Sequence, residues 1–297
     1  MNIIVAVLLD EDLASQIGKK GVEGSITFYN RKSDKDIIVA IAPTSITEKF
    51  GSLANSLLMC EQVVISTKNV DRLFGEVLVA ATLIKKRIIL TKDSDVSSIT
   101  SSINAKDMIF ADKSEVLNLI STFKPKAEQL DGCRVEIDRA FNVKGTGTVL
   151  LGVVTRGMVK KHSKLFTKDG IEVQVRSIQC QDDDVDEAEV GSRVGLALKG
   201  IESEQIHKGD ILSDKQIAAV ALVKAKLTLS AFAKEKIESG RQYQIYCGFN
   251  SGSCMVKDFD GDVATLDLDK AMQIEPNDAI MLSRDVPPRI FACGSIL

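Results

Sequence analysis

Hydrophobic and polar positions along the chain fall into two regimes. Residues 2–9, NIIVAVLL, form an unbroken apolar run of strand length, and IIVAIA (37–42), VVIS (63–66), RIILT (87–91) and DMIFA (107–111) repeat it. Apolar runs without alternation suit strands buried on both faces. Between them, residues 46–60, 72–85 and 113–123 are compatible with helices. Alternating β and α segments predict a parallel, doubly wound α/β domain over residues 1–123. At KPKAEQL (124–130) the pattern changes to a polar connector with a helix-breaking proline. Short strand-like runs punctuated by glycine and charged turns then fill residues 131–215 (CRVEI, TVLLGVV, KLFT, EVQVRSI, SRVGLALKG) and again 216–297 (RQYQIYCGF, GSCMVKDF, DVATLDL, AIMLSR). Each block reads as a small antiparallel β-barrel, so the expected fold is multidomain, α/β plus all-β.

The stretch VEIDRAFNVKGTGTVLLGVVTRGMVKK (135–161) sets a lysine beside a glycine pair, as phosphate-binding loops do. A dinucleotide fingerprint needs a third glycine three residues after the second, at the start of a helix. Position 150 is leucine, and two β-branched apolar runs follow Gly147. That is strand chemistry, so Gly145 and Gly147 are expected in a tight turn or bulge.

Composition narrows the possible functions. With 38 basic against 41 acidic residues the chain is near neutral, so a broad nonspecific grip on nucleic acid is not implied and no DNA partner is expected. Six cysteines lie scattered without a CxxC pair, which suits reduced thiols, predicts no zinc site and points to a cytoplasmic setting. The longest apolar runs are too short to span a bilayer, and no signal peptide is read at the start. The lack of Trp removes the usual stacking platform for single strands.

VEIDRAFNVKGTGTVLLGVVTRG, then VRSIQ, EAEVGSRVGLALKGI and EQIHKGDIL, is similar along about 80 residues to the second domain of translational GTPases of the elongation factor Tu class. IDRAF-x-VKG-x-GTV and the Ile-Gln before the acidic loop look most like the selenocysteine-specific branch. The closing PRIFACGSIL resembles the last strand of that class's third domain. The resemblance implies that residues 1–123 are a G domain, and there the sequence departs from the family pattern. GxxxxGK[ST] is needed to wrap phosphates, neutralise charge and hold magnesium. After the first strand this chain places Asp10, Glu11 and Asp12 instead. Like charges at about 4 Å repel by ~4 kcal/mol at an effective dielectric of about 20, so three carboxylates oppose a triphosphate. The family's Asp-Ala-Pro-Gly-His aligns with Ile41-Ala42-Pro43-Thr44-Ser45, and its Asn-Lys-x-Asp with Thr91-Lys92-Asp93-Ser94, Asp95 falling one residue late. Little chain is left for a switch segment between the first helix region and the second strand. Neither GTP nor magnesium is expected as a cofactor, and the G domain reads as a scaffold without turnover.

The family's second domain helps to form the pocket for the aminoacyl end of tRNA, which makes Arg139, Lys144 and Thr146 the first candidates for an RNA contact; a bulge with a strand-edge ion pair is the other reading. Arg156, Lys160 and Lys161 (with Lys164) are phosphate-contact candidates or simply a solvated face. The aspartates at 182, 183, 184 and 186 lack EF-hand spacing and read as a surface loop, Asp260-Gly261 reads as a hairpin turn, and His162 and His207 have no nucleophile motif beside them. No catalytic residue and no metal ligand is assigned. Three functions stay open: a noncatalytic elongation factor paralogue binding tRNA, the ribosome or another translation factor; a GTP-binding factor in which Lys19, Lys20 or Lys92 supplies the positive charge; and a protein-interaction adaptor without an RNA role.

Overall fold

The computed structural model describes residues 2–33, 36–103, 108–124, 132–233 and 235–297. The connector expected at 124–130 lies, apart from Lys124, outside the described residues. The first unit is a seven-stranded sheet: β1 Asn2–Leu8, β2 Lys19–Lys20, β3 Ile26–Lys32, β4 Ile37–Pro43, β5 Gln62–Ile65, β6 Arg87–Thr91 and β7 Met108–Ala111, in the order β2-β3-β4-β1-β5-β6-β7. From β4 to β7 neighbours are parallel. The unbroken apolar runs have the anticipated cause: along β1, Ile4, Ala6 and Leu8 enter one core while Ile3, Val5 and Val7 enter the other.

The sheet is mixed, which corrects the expectation of a wholly parallel one. ITFYNRK forms β3, antiparallel to β4, with β2 at its edge, so the chain before β4 is spent on a hairpin. Among the described residues five helices complete the unit: α1 Glu11–Ile17, α2 Phe50–Met59, α3 Arg72–Leu83, α4 Ser97–Ser102 and α5 Lys113–Ser121. Helices α1 and α5 cover one face through Leu13, Ala14, Ile17, Val116 and Ile120. On the other face, α2 and α3 share a core with Tyr246, Phe249, Met281, Ile290 and Cys293 from the C-terminal unit, so the hydrophobic interior runs on between these two units.

The second unit holds β8 Cys133–Val143, β9 Gly147–Lys160, β10 Lys164–Phe166, β11 Glu172–Cys180, β12 Asp183–Val185, β13 Glu187–Glu189, β14 Arg193–Lys199 and β15 Ile211–Ser213. Its strands run β10-β15-β8-β9-β14-β11-β12, and β10 also pairs with β11, bringing the sheet back on itself. The third unit is a closed barrel, β16-β19-β18-β17-β20-β21, from β16 Ala219–Leu229, β17 Gln242–Cys247, β18 Asn250–Asp260, β19 Val263–Gln273, β20 Ala279–Ser283 and β21 Ile290–Ile296. Gly145 and Gly147, with φ of +84° and +88°, turn β8 into β9; Gly261 at +61° turns β18 into β19. Both glycine signals are hairpin turns.

Gly294 shows how tightly the C-terminal barrel closes. It sits on β21 opposite Leu227 of β16, where an added methyl group would collide with the Lys226 carbonyl. Gly294→Ala is expected to destabilise the chain by at least about 2 kcal/mol through forced strand separation. Urea unfolding followed by circular dichroism checks this; an unchanged midpoint would show that the barrel absorbs the methyl group.

Candidate functional site

Only Leu9 and Asp10 link β1 to α1, fewer residues than a loop wrapping a phosphate chain requires. Leu9 takes up the reversal with φ +67°, and Asp10 becomes the helix cap. One Asp10 oxygen accepts the Leu13 N–H at 2.9 Å, while the other accepts from Lys113 Nζ at 2.7 Å and Ser66 Oγ at 3.3 Å. The Asp10 side chain is 4% exposed. Burial works to raise its carboxyl, but the bonds from Lys113, Leu13 and Ser66 outweigh it and hold the group below the ordinary carboxylate value. Lys113 also lies 3.5 Å from Asp93, so one ammonium group ties together the chain segments after β1, β6 and β7.

The three carboxylates expected to repel a triphosphate together are therefore separated. Glu11 accepts from Lys20 at 2.7 Å and from the Tyr29 hydroxyl at 2.9 Å, which lower its pKa. Asp12 is exposed on α1, and Asp10 alone occupies the strand-to-helix turn. Thr44 donates to Gly24 O at 2.7 Å, and Ser45, at φ +52°, offers its carbonyl to Glu48 and Lys49. Asp10, Glu11, Tyr29, Thr44 and Ser45 line a cavity of about 330 Å³ with Thr27, whose buried hydroxyl has no partner among the described residues. Lys92 and Asp95 are not among its lining residues: Lys92 pairs with Asp112 at 3.7 Å, and Asp95 accepts the Ser97 N–H at 2.9 Å. Lys19 faces Asp182, and Lys20 is shared by Glu11 and Glu23, so each proposed compensating lysine already has an acidic neighbour.

The six RNA-contact candidates do not form one surface. Lys144 is exposed at the β8–β9 tip, where the Thr146 carbonyl accepts from Arg176 at 3.0 Å. Lys160 and Lys161 lie at the far end of β9 beside Glu187 and Asp186. Arg156 turns to Glu275 of the third unit at 3.1 Å. Arg139 stands apart from all of these, in a junction with the first unit. Asp138 is buried there and meets Arg193 at 2.9 Å and Arg139 at 3.5 Å; the Arg193 guanidinium lies 3.3 Å from the Phe28 ring centroid, and Lys208 donates to Ser25 Oγ at 2.9 Å.

Desolvation lowers the pKa of Arg193 and of Lys208; Asp138 opposes it, and Arg139 adds repulsion to both. Among the described residues, Arg193 Nη1 is buried without a partner. Arg139, Arg193 and Lys208 thus gather around one carboxylate. Arg193 and Lys208 were missed because β14 and the segment before β15 are far from Arg139 in the chain, although GSRVGLALKG and EQIHKGDIL contain them. The aspartate loop has a structural role: Asp182 and Asp183 pair with Lys19 and Lys32 of the first unit. Among the described residues no group of three or more His, Cys, Asp or Glu side chains is placed to hold a metal, and no helix is long and apolar enough to cross a membrane.

A carboxyl with a lowered folded-state pKa stabilises the fold above its unfolded value, here 3.8, and loses that contribution as pH falls through the folded value. Asp10→Ala is therefore expected to cost about 1–2 kcal/mol near neutral pH, from the lost cap and ion pair. The gap between variant and parent should close below pH 3.8. Thermal unfolding of both proteins across pH 3–7 measures it, and a pH-independent gap contradicts the assignment.

Residues 147–213 match the family model for elongation factor Tu domain 2. An uncharacterised protein of Methanocaldococcus jannaschii is 27% identical over 283 residues, covering 92% of this chain and 91% of that protein. The selenocysteine-specific elongation factor of the same organism is 36% identical over 126 residues, 42% of this chain and 26% of that factor, so the match spans about a quarter of the latter. Among solved structures, translation elongation factor SelB from Methanococcus maripaludis, crystallised with the GTP analogue GppNHp, superposes with a TM-score of 0.83 at 20% identity, covering 99% of this chain and 78% of SelB. Residues 147–213 are thus an elongation factor Tu domain 2, and over nearly its whole length the chain has the fold of SelB.

Proposed function

We propose that the chain is a noncatalytic paralogue of a translation elongation factor, binding the acceptor end of a tRNA, the ribosome or another translation component without hydrolysing GTP. The observation that carries the noncatalytic half is the Asp10 carboxylate, which accepts the Leu13 N–H in the first turn of α1 and is held by Lys113. A nucleotide phosphate would need that helix start and that positive charge. The binding half is supported by Arg139, Arg193 and Lys208 around a single acid, because an excess of desolvated cations favours an anionic group such as an RNA phosphate.

Titration with a fluorescent GTP analogue and Mg²⁺ is expected to show no saturable binding at micromolar concentrations; saturable binding there would instead mark a nucleotide-dependent factor. Retention of charged and uncharged tRNA across a salt series is expected to fall linearly with log salt. Arg139→Ala and Lys208→Ala should each reduce that slope by about one, while Lys160→Ala leaves it unchanged. Absence of retention even at low salt rejects the RNA-binding reading and leaves a protein adaptor.

A further inference from the structure

The chain leaving β4 forms a wall of the cavity beside Asp10, and the far end of that wall is held from the C-terminal barrel. Arg289, just before β21, donates from Nη1 to the carbonyls of Ile46 at 2.8 Å and Thr47 at 3.1 Å. Its Nε and Nη2 reach the Glu76 carboxylate of α3 at 3.0 and 2.6 Å, and its backbone N–H reaches it too. The two side chains are 12% and 8% exposed. Alongside, Phe50 packs on Tyr246 with ring centroids 6.1 Å apart, a Cβ at Gly51 would press on that ring at 3.1 Å, and Asn55 donates to Gly248 O at 2.6 Å.

We propose that the Arg289–Glu76 clasp is a built-in lock, fixing the cavity wall at residues 46–47 and the first unit onto the C-terminal barrel as one body, whatever occupies the cavity. A planar guanidinium serves two loop carbonyls and a carboxylate together; a lysine ammonium cannot span both with the same geometry. The two carbonyls belong to a connecting segment without a ladder of its own, so the fork also satisfies acceptors that would otherwise depend on water. The clasp differs from a ligand-dependent contact because every partner in it belongs to the chain.

Hydrogen–deuterium exchange on the full-length protein tests the lock. In Arg289→Lys, amides of residues 46–50 are expected to exchange roughly tenfold faster than in the parent, with β1 and β17 unchanged. Glu76→Gln, which keeps the shape and removes the charge, should give the same local pattern more weakly and serves if the lysine variant folds poorly. Solution scattering should show a larger radius of gyration for both variants. Unchanged exchange at residues 46–50 in a folded variant overturns the proposal, as does acceleration spread evenly over β1 and the barrel, which would make Arg289 an ordinary contributor to global stability.

Discussion

The Asp10 carboxylate at the start of α1 is the interaction on which the reading of the first unit depends. A helix start leaves N–H groups without internal partners, and a fold of this kind can offer them to a bound phosphate or satisfy them from within. This chain does the latter, with a strand-to-helix link so short that the residue after Leu9 is already the cap. The same carboxylate draws in Lys113, which reaches Asp93 as well. One internal anion thereby employs both the helix start and the nearby cation.

The three units are joined by contacts of a related kind. Arg289 with Glu76 and Arg134 with Asp278 through both oxygens are largely buried pairs across unit boundaries, and Arg193 with Asp138 is a buried pair of the second unit set at its boundary with the first. Arg193 also crosses to Phe28 of the first unit, and Gln273 exchanges bonds with the Ile211 backbone between the two barrels. Such pairs give up much of their attraction to desolvation, yet breaking one by removing a partner costs about 3–5 kcal/mol. Their effect is on arrangement more than on total stability: a displaced interface would bury charges without partners. The continuous core through α2, α3 and the C-terminal barrel supplies the nondirectional attraction, and the ionic pairs select one geometry from those it would allow.

Much of this architecture was legible in the sequence, because burial on two faces leaves unbroken apolar runs and a hairpin leaves glycines where φ must be positive. The second unit could be read by its ordered landmarks. What escaped has physical reasons. Strand β3 begins with four buried residues, ITFY, and ends in NRK, which become exposed, so it shows neither an unbroken run nor alternation. Helix α1 has seven residues and little periodicity to display. The fate of the acidic trio was illegible because its partners, Lys113, Ser66 and Tyr29, come from other elements. Arg156 looked like a surface cation for the same reason: Glu275 approaches it only when the two barrels are assembled.

The cationic junction differs from the other charged clusters in one respect. Asp182 and Asp183 serve Lys19 and Lys32 at the solvent-exposed edge of the same boundary, and Glu187 and Asp186 serve Lys160 and Lys161. With acidic residues outnumbering basic ones, 41 to 38, no shortage of counterions explains why Arg139, Arg193 and Lys208 share Asp138. Their mutual repulsion and desolvation are borne by the free chain and are visible in the lowered pKa values of Arg193 and Lys208. An anion entering the junction relieves that repulsion in addition to accepting hydrogen bonds, so binding there gains from a strain that already exists. A fully compensated cluster would offer an anion only an exchange of partners, and this asymmetry distinguishes the junction from Lys19, Lys32, Lys160 and Lys161, each of which has its own acidic neighbour.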